Sequence, residues 1–176
     1  MVVRLINHAP VGALTLCVIM VHEIIALVDL LPLRRRWREI RCLGFSGGGL
    51  QTLYAAALDE RIKLSFVSGY YYGFYESLLK LNANCSCYYF PSQYLYFDIA
   101  DIAALIEPRP IIVQSSKDDH FAGERGIQNV LEPMKELESV YSLFGKKNRL
   151  YHQIVPGPHH FEKNGLIESM ERVCID

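Results

Sequence analysis

Gly44-Phe45-Ser46-Gly47-Gly48-Gly49 is the stretch that decides the fold, and it directly follows the apolar run Ile40-Arg41-Cys42-Leu43. It fits the pattern G-x-S-x-G, in which a serine sits on a sharp strand-to-helix turn with its hydroxyl above the sheet. Such a turn brings strand and helix so close that side chains beside the serine would clash, so glycines flank it. Because glycine-flanked serines also occur in ordinary tight turns, the pattern needs structural context.

The residues that follow the glycines supply this context. Apolar residues recur there at the helical spacing i, i+3, i+4, i+7: Leu50, Leu53, Tyr54 and Ala57. Later apolar runs predict strands at 62–68, 110–114 and 150–155. Further helices are predicted within 11–33, 76–81, 98–106, 126–144 (with an interruption at Pro133) and 165–175. Alternating strands and helices predict an α/β fold with a mostly parallel sheet flanked by helices.

A nucleophilic serine needs a base and an orienting acid, which in this class follow it in the order serine, acid, histidine. The polar loop after the 110–114 strand contains Asp118 and Asp119, and the proline-glycine turn after the 150–155 strand contains His159 and His160. Catalytic groups of open α/β sheets gather at the carboxyl ends of the strands. Order and position therefore make one aspartate of the first pair and one histidine of the second the candidates.

These motifs together resemble the C-terminal part of α/β-hydrolases, close to the dienelactone hydrolase and acetyl-xylan-esterase-like branch. The segment 94–110 is similar to the region before that family's acid strand. Lys117-Asp118-Asp119-His120-Phe121 resembles its acid loop, and Gly157-Pro158-His159-His160-Phe161 resembles its G-x-H-x-F histidine loop. The resemblance extends from about residue 20 to the C-terminus.

The resemblance implies a role for each candidate. Ser46 would be the nucleophile, Asp119 the acid and His159 the base, with Asp118 and His160 as alternates. It implies cleavage of a small-molecule ester, with no cofactor and no metal. A thioesterase or peptidase using the same residues, and an impaired remnant that needs a partner chain, are the alternatives.

The chain departs from the family before Ser46. Family members have several strands there, and an early loop supplies half of the oxyanion hole. Only about forty residues precede Ser46 here, and none of them forms an HGGG-type sequence. We therefore expect one domain over residues 1–176, a truncated α/β-hydrolase fold without the first strands. The backbone N–H of Gly47 would face the oxyanion, and losing its usual partner donor typically costs about 2.7–4 kcal/mol.

The composition of the chain limits the classes of binding partner. The chain has 176 residues with a formal net charge of −1, which argues against a nucleic-acid or anionic membrane surface. The basic run at 34–38 is expected to be a solvated loop. Cys17 and Cys42 lie in apolar runs that favour burial, and the Cys85-Ser86-Cys87 spacing does not fit a zinc site.

The apolar segment near the N-terminus is predicted to be a core helix. His22, Glu23 and Asp29 interrupt it, whereas a spanning helix needs about twenty apolar residues. With no membrane segment expected, we predict a cytoplasmic protein. Without the first strands, an open sheet edge would favour a homodimer.

Tyrosines cluster between the serine helix and the acid strand. They are expected either to line the substrate site or to pack in the core: Tyr70, Tyr71, Tyr72, Tyr75, Tyr88, Tyr89, Tyr94 and Tyr96.

Overall fold

The computed structural model describes residues 15–31, 39–81, 84–85, 88–90 and 92–174. The helices and strands within these ranges are α1 (Leu16–Leu30), β1 (Ile40–Phe45), α2 (Gly47–Leu58), β2 (Ile62–Ser68), α3 (Ile99–Ala104), β3 (Ile111–Ser116), α4 (Gln128–Leu143), β4 (Leu150–Val155) and α5 (Leu166–Cys174). A π-helix, Tyr75–Lys80, and the 3₁₀ turns Gln93–Leu95, His120–Ala122 and Lys147–Arg149 lie between them. The basic run at 34–38 lies outside the described residues.

The strands form one parallel sheet in the order β1-β2-β3-β4. This confirms the predicted α/β fold with a parallel sheet flanked by helices. Because all strands run in the same direction, the turn after β1 and the loops after β3 and β4 meet at one end of the sheet. β1 is an edge strand of the described sheet, and association through it stays a prediction.

Both faces of the sheet are covered. Successive strand residues point to opposite faces, and the buried residues at 66–67 of β2 and at 111–113 of β3 follow this rule. Val67 and Val113 belong to the larger core, with α1, α2, α3 and α4, whereas Phe66 and Ile112 pack with Val173 of α5. Burial on both faces explains why these strands are almost continuously apolar in sequence.

Helix α1 begins within the apolar segment at 11–33. The Thr15 hydroxyl accepts a hydrogen bond from the backbone N–H of Val18 at 3.4 Å, which caps the helix. Cys17, Val21 and Val28 are buried in the larger core, as expected of a core helix. In the described part of the chain, no helix combines the length and apolar character that crossing a bilayer requires.

Helix α4 runs through Pro133, so the predicted interruption there is wrong. Proline lacks the N–H that would bond the carbonyl of Asn129, four residues earlier. That carbonyl instead accepts a hydrogen bond from the backbone N–H of Gly73 at 2.9 Å. The helix therefore continues because a neighbouring segment supplies the missing donor.

Candidate active site

Ser46 occupies the turn between β1 and α2 in a strained backbone conformation. Its φ of 55° and ψ of −118° are unusual for a residue with a side chain and cost on the order of 1–3 kcal/mol. Its backbone N–H donates to the carbonyl of Ser68 at 2.8 Å, which ties the turn to β2. Ser46 stands at the N-cap of α2, yet its side chain makes no capping hydrogen bond. The hydroxyl is therefore not used by the helix.

Glycines allow this turn at two positions. A Cβ on Gly44 would lie 1.9 Å from the carbonyl oxygen of Gly48, and a Cβ on Gly49 would lie 2.7 Å from that of Ser68. Neither position tolerates a side chain without moving the backbone. A Cβ on Gly48 would meet open space, so the predicted crowding does not extend to that residue.

The backbone N–H of Gly47 belongs to the first turn of α2. The first amides of a helix lack intrahelical partners, and the helix dipole places partial positive charge there. An anion beside Ser46 would therefore meet favourable electrostatics. A Cβ on Gly47 would lie 2.8 Å from the hydroxyl oxygen of Tyr88, so the Tyr88 side chain lies beside Gly47.

Asp119 and His159 are brought together across the ends of β3 and β4. The His159 Nδ1 lies 2.7 Å from the Asp119 Oδ2, and both side chains are largely buried, at 11% and 4% exposure. The other carboxylate oxygen, Oδ1, accepts the backbone N–H of Phe121 at 2.9 Å. With Nδ1 donating to the carboxylate, the unprotonated nitrogen of a neutral imidazole is Nε2.

The His159 ring is held by aromatic contacts beside the serine turn. Its centroid lies 4.6 Å from that of Phe45, which directly precedes Ser46, and 4.8 Å from that of Phe121, which it contacts edge-to-face. Its Nε2 is buried and has no hydrogen-bond partner among the described residues, Ser46 included. A buried, unpaired nitrogen is costly and typical of a functional site, and hydrogen bonds to a catalytic base are often long before substrate binds.

The two alternate candidates lie elsewhere. Asp118 is exposed, and its backbone N–H donates to the carbonyl of Gly157 at 3.0 Å. The His160 Nδ1 lies 2.7 Å from the carbonyl oxygen of Pro158 and 3.3 Å from the Ser116 hydroxyl. The structure thus pairs Asp119 with His159 and directs His160 toward β3.

Gln114 fixes the histidine loop, a role that the sequence analysis missed. Its Nε2 donates to the Glu162 carbonyl at 2.9 Å, and its Oε1 accepts the Glu162 N–H at 3.1 Å. The same buried amide also bonds the Ser68 hydroxyl at 2.8 Å and the Gln153 Oε1 at 2.9 Å. One polar residue at the end of the otherwise apolar run 110–114 was the available sequence clue.

A second polar network holds the acid loop. Glu76 accepts the Arg125 backbone N–H at 3.1 Å and also pairs with its guanidinium. Desolvation raises the pKa of Glu76, but the hydrogen bonds and charge of Arg125 outweigh this effect and lower the pKa. The Asn129 amide donates to the carbonyls of Gly73 at 3.0 Å and Ala122 at 2.7 Å. These bonds join the segment after Asp119 to α4 and the π-helix.

The tyrosines of this cluster differ in burial. Tyr70, Tyr71 and Tyr72 are buried in the larger core, which is the packing role. Burial raises the pKa of Tyr72, with a further contribution from the charge of Asp119. The Tyr88 hydroxyl borders Gly47, and four others are more than a third exposed: Tyr75, Tyr89, Tyr94 and Tyr96.

An apolar cleft of about 710 Å³ lies between α1, α2 and α3. Val21, Ile25 and Ile102 contribute to its wall, but Ser46, Asp119 and His159 do not. It is therefore distinct from the serine turn. In the described part of the chain, His, Cys, Asp and Glu residues form no group of three that could hold a metal ion.

The chain is similar in sequence to a protein named as a candidate hydrolase and similar in structure to several esterases. The Bacillus subtilis (strain 168) protein YtaP, named as a candidate hydrolase, is 28% identical over 147 residues, which are 81% of this chain and 48% of YtaP. A glucuronoyl esterase from Solibacter usitatus superposes with a TM-score of 0.72 at 16% identity, covering 97% of this chain and 53% of the esterase. Methylesterase BT1017 superposes with a TM-score of 0.68 at 21% identity, covering 90% and 35% of the two chains. No family model matches the chain.

These likenesses establish the fold. The chain has the architecture of part of the α/β-hydrolase fold, which confirms the predicted resemblance at this level. It spans about half the length of YtaP and of the Solibacter esterase.

Proposed function

We propose that the protein is a serine hydrolase that cleaves small ester or acetyl groups, with Ser46, Asp119 and His159 as its triad. The observation that carries the proposal is the 2.7 Å contact between Asp119 and Nδ1 of His159, combined with a buried Nε2 on the same ring that has no hydrogen-bond partner among the described residues. That ring packs against Phe45, the residue before Ser46. These contacts support Asp119 as the acid and His159 as the base beside the strained serine turn.

In the first half of the reaction, the Ser46 hydroxyl oxygen attacks the ester carbonyl carbon and its proton passes to Nε2 of His159. The carbonyl oxygen becomes an oxyanion, which the Gly47 N–H stabilises at the N-terminus of α2. The intermediate then collapses, the bond to the alcohol breaks, and the leaving oxygen takes the proton from Nε2. The acyl group remains on Ser46.

In the second half, water attacks the acyl carbon and gives a proton to Nε2. Ser46 leaves and recovers that proton, so the free acid is released and the enzyme is unchanged. Asp119 orients the imidazole and stabilises its positive form throughout. The base in each half of the reaction is the neutral imidazole of His159.

The comparisons favour esters as the substrate class. The Solibacter protein and BT1017 are both named as esterases. Esters also need less assistance to their leaving group than amides do. Thioesters use the same chemistry and are separated from oxygen esters by a substrate panel.

The test is hydrolysis of 4-nitrophenyl acetate by the wild-type protein, Ser46→Ala and the control Ser139→Ala. Ser139 lies exposed on α4, so its substitution should leave the rate unchanged. We expect Ser46→Ala to reduce the rate to that of the uncatalysed reaction. Equal rates for wild type and Ser46→Ala would overturn the proposal.

A further inference from the structure

Tyr88 presents its hydroxyl to the serine turn. The Tyr88 atom nearest to a Cβ on Gly47 would be Oη at 2.8 Å, followed by Cε1 at 3.5 Å and Cζ at 3.6 Å. The phenol therefore points its polar end, rather than its ring face, at Gly47. Gly47 carries the backbone N–H assigned above to the oxyanion.

The identity of residue 47 is consistent with this placement. The pattern G-x-S-x-G leaves the position after the serine open to any residue. Here that position is a glycine, and the space that its side chain would fill borders directly on the Tyr88 hydroxyl. An alanine would force the phenol away from the turn.

The Tyr88 ring is supported by packing. Its centroid lies 5.3 Å from that of Tyr70 at an interplanar angle of 77°, an edge-to-face contact. Tyr70 is 1% exposed and also contacts Tyr72, with ring centroids 5.6 Å apart. The buried rings of Tyr70 and Tyr72 thus support the Tyr88 ring and fix the position of its hydroxyl.

We propose that the Tyr88 hydroxyl is a second hydrogen-bond donor to the oxyanion, acting together with the Gly47 N–H. The inference rests on the proposed function and adds a catalytic residue to it. Negative charge develops on the substrate carbonyl oxygen beside the Gly47 N–H, and the phenol lies next to the same residue. A neutral phenol donates a hydrogen bond and keeps its proton, so the reaction steps above stay balanced. Preorganised donors of this kind stabilise the transition state more than the ground state.

The test compares Tyr88→Phe with the control Tyr89→Phe, both assayed on 4-nitrophenyl acetate. Tyr88→Phe removes one oxygen atom and keeps the ring that packs on Tyr70. We expect kcat to decrease by about 10²-fold, as typical for loss of one oxyanion donor, with KM changed by less than about twofold. Tyr89 is 44% exposed, and its substitution should change neither constant.

A second measurement tests whether Tyr88 stabilises the oxyanion or only contacts the bound substrate. A trifluoromethyl ketone forms a tetrahedral, negatively charged adduct with an activated serine, whereas an unreactive ester analogue stays trigonal. Tyr88→Phe should weaken the inhibitor by a factor close to its loss in kcat/KM and leave binding of the analogue unchanged.

The outcomes distinguish the two proposals. An active wild type with an unchanged Tyr88→Phe variant, or a change confined to KM, would overturn the role of Tyr88 and leave the serine hydrolase in place. A wild type no faster than Ser46→Ala would overturn both.

Discussion

Gly69 lies directly against the imidazole of His159: a Cβ on Gly69 would stand 2.9 Å from the His159 Cε1. The same Cβ would lie 2.8 Å from a ring carbon of Phe45. Gly69, the first residue after β2, therefore packs directly against the proposed base, next to the serine turn. A side chain at this position would displace the ring from Phe45, from Asp119 or from both.

Substitution of Gly69 by alanine should consequently abolish most of the activity. Gly69 has a φ of 61°, so alanine also strains the backbone there by about 1–2 kcal/mol. Gly145→Ala is the matched control, because Gly145 has a φ of 67° and open space around its Cβ position. Both variants strain the backbone, but Gly69→Ala should lose more stability in thermal unfolding because only its Cβ meets neighbouring rings, and only Gly69→Ala should lose about 10²-fold in kcat. Equal activity in the two variants would contradict this role of Gly69.

Asp119→Asn should lower kcat by about 10⁴-fold, because an amide favours the wrong imidazole tautomer and cannot stabilise its positive form. Asp118→Asn is the control, since Asp118 is the exposed neighbour that carries the same charge. It should retain activity within about twofold of wild type. A larger loss for Asp118→Asn than for Asp119→Asn would reverse the assignment of the acid. Steady-state kinetics on 4-nitrophenyl acetate measures both.

Gln114→Leu should lower both stability and activity. The substitution keeps the volume but removes the bonds to both backbone groups of Glu162, which would release the histidine loop. Unsatisfied buried groups cost about 1–3 kcal/mol each, so the urea midpoint should fall measurably. Gln153→Leu removes the partner nearer the surface and keeps the loop attached, so kcat should change little. If Gln153→Leu lost as much activity as Gln114→Leu, the loop attachment would not be the cause.

His152 should make the protein less stable in acid. Burial lowers its pKa to about 4 from the usual 6.5. Between these values the unfolded chain binds a proton that the folded protein excludes. The stability is fully present above pH 6.5 and decreases as the pH falls to 4, by on the order of 1–3 kcal/mol.

The check for His152 is urea unfolding at pH 7 and pH 4.5. His152→Gln retains hydrogen bonding to the Ser115 hydroxyl, which lies 3.1 Å from the His152 Nε2, but cannot titrate. This variant should lose less stability than wild type over that interval. His22→Gln, at an exposed position on α1, should behave like wild type. An unchanged pH dependence in His152→Gln would contradict the proposed effect of burial.

Local sequence was sufficient for the sheet and for the two pairs of candidates at its end, and the family resemblance selected Asp119 and His159 from those pairs. The strands of this sheet are short apolar runs, and each candidate residue follows a strand, so parallel pairing alone places them at one end. Local patterns also favoured a break in the helix at Pro133, and this prediction was wrong. The hydrogen bond from the Gly73 N–H to the Asn129 carbonyl cannot be read from the residues around Pro133. That bond depends on packing between segments distant in the chain.

The surroundings of the site were beyond prediction for the same reason. Gln114 and Gly69 act through contacts with residues about 48 and 90 positions away. Tyr88 belongs to an irregular segment without periodicity, so no sequence pattern predicted that it lies beside Gly47. The strained serine turn, in contrast, depends on neighbours within a few residues, which is why its glycines identify it.

The central claim is that Ser46 is an activated nucleophile, and covalent labelling tests it most directly. The purified protein is treated with a fluorophosphonate, which loses fluoride on forming a bond to an activated serine oxygen. Intact-mass analysis and peptide mapping then locate the adduct, with Ser46→Ala and Ser139→Ala treated in parallel. We predict one adduct per chain on Ser46, absent from Ser46→Ala and retained in Ser139→Ala. A folded wild-type protein that gains no mass, or that carries the adduct on another residue, would contradict the claim.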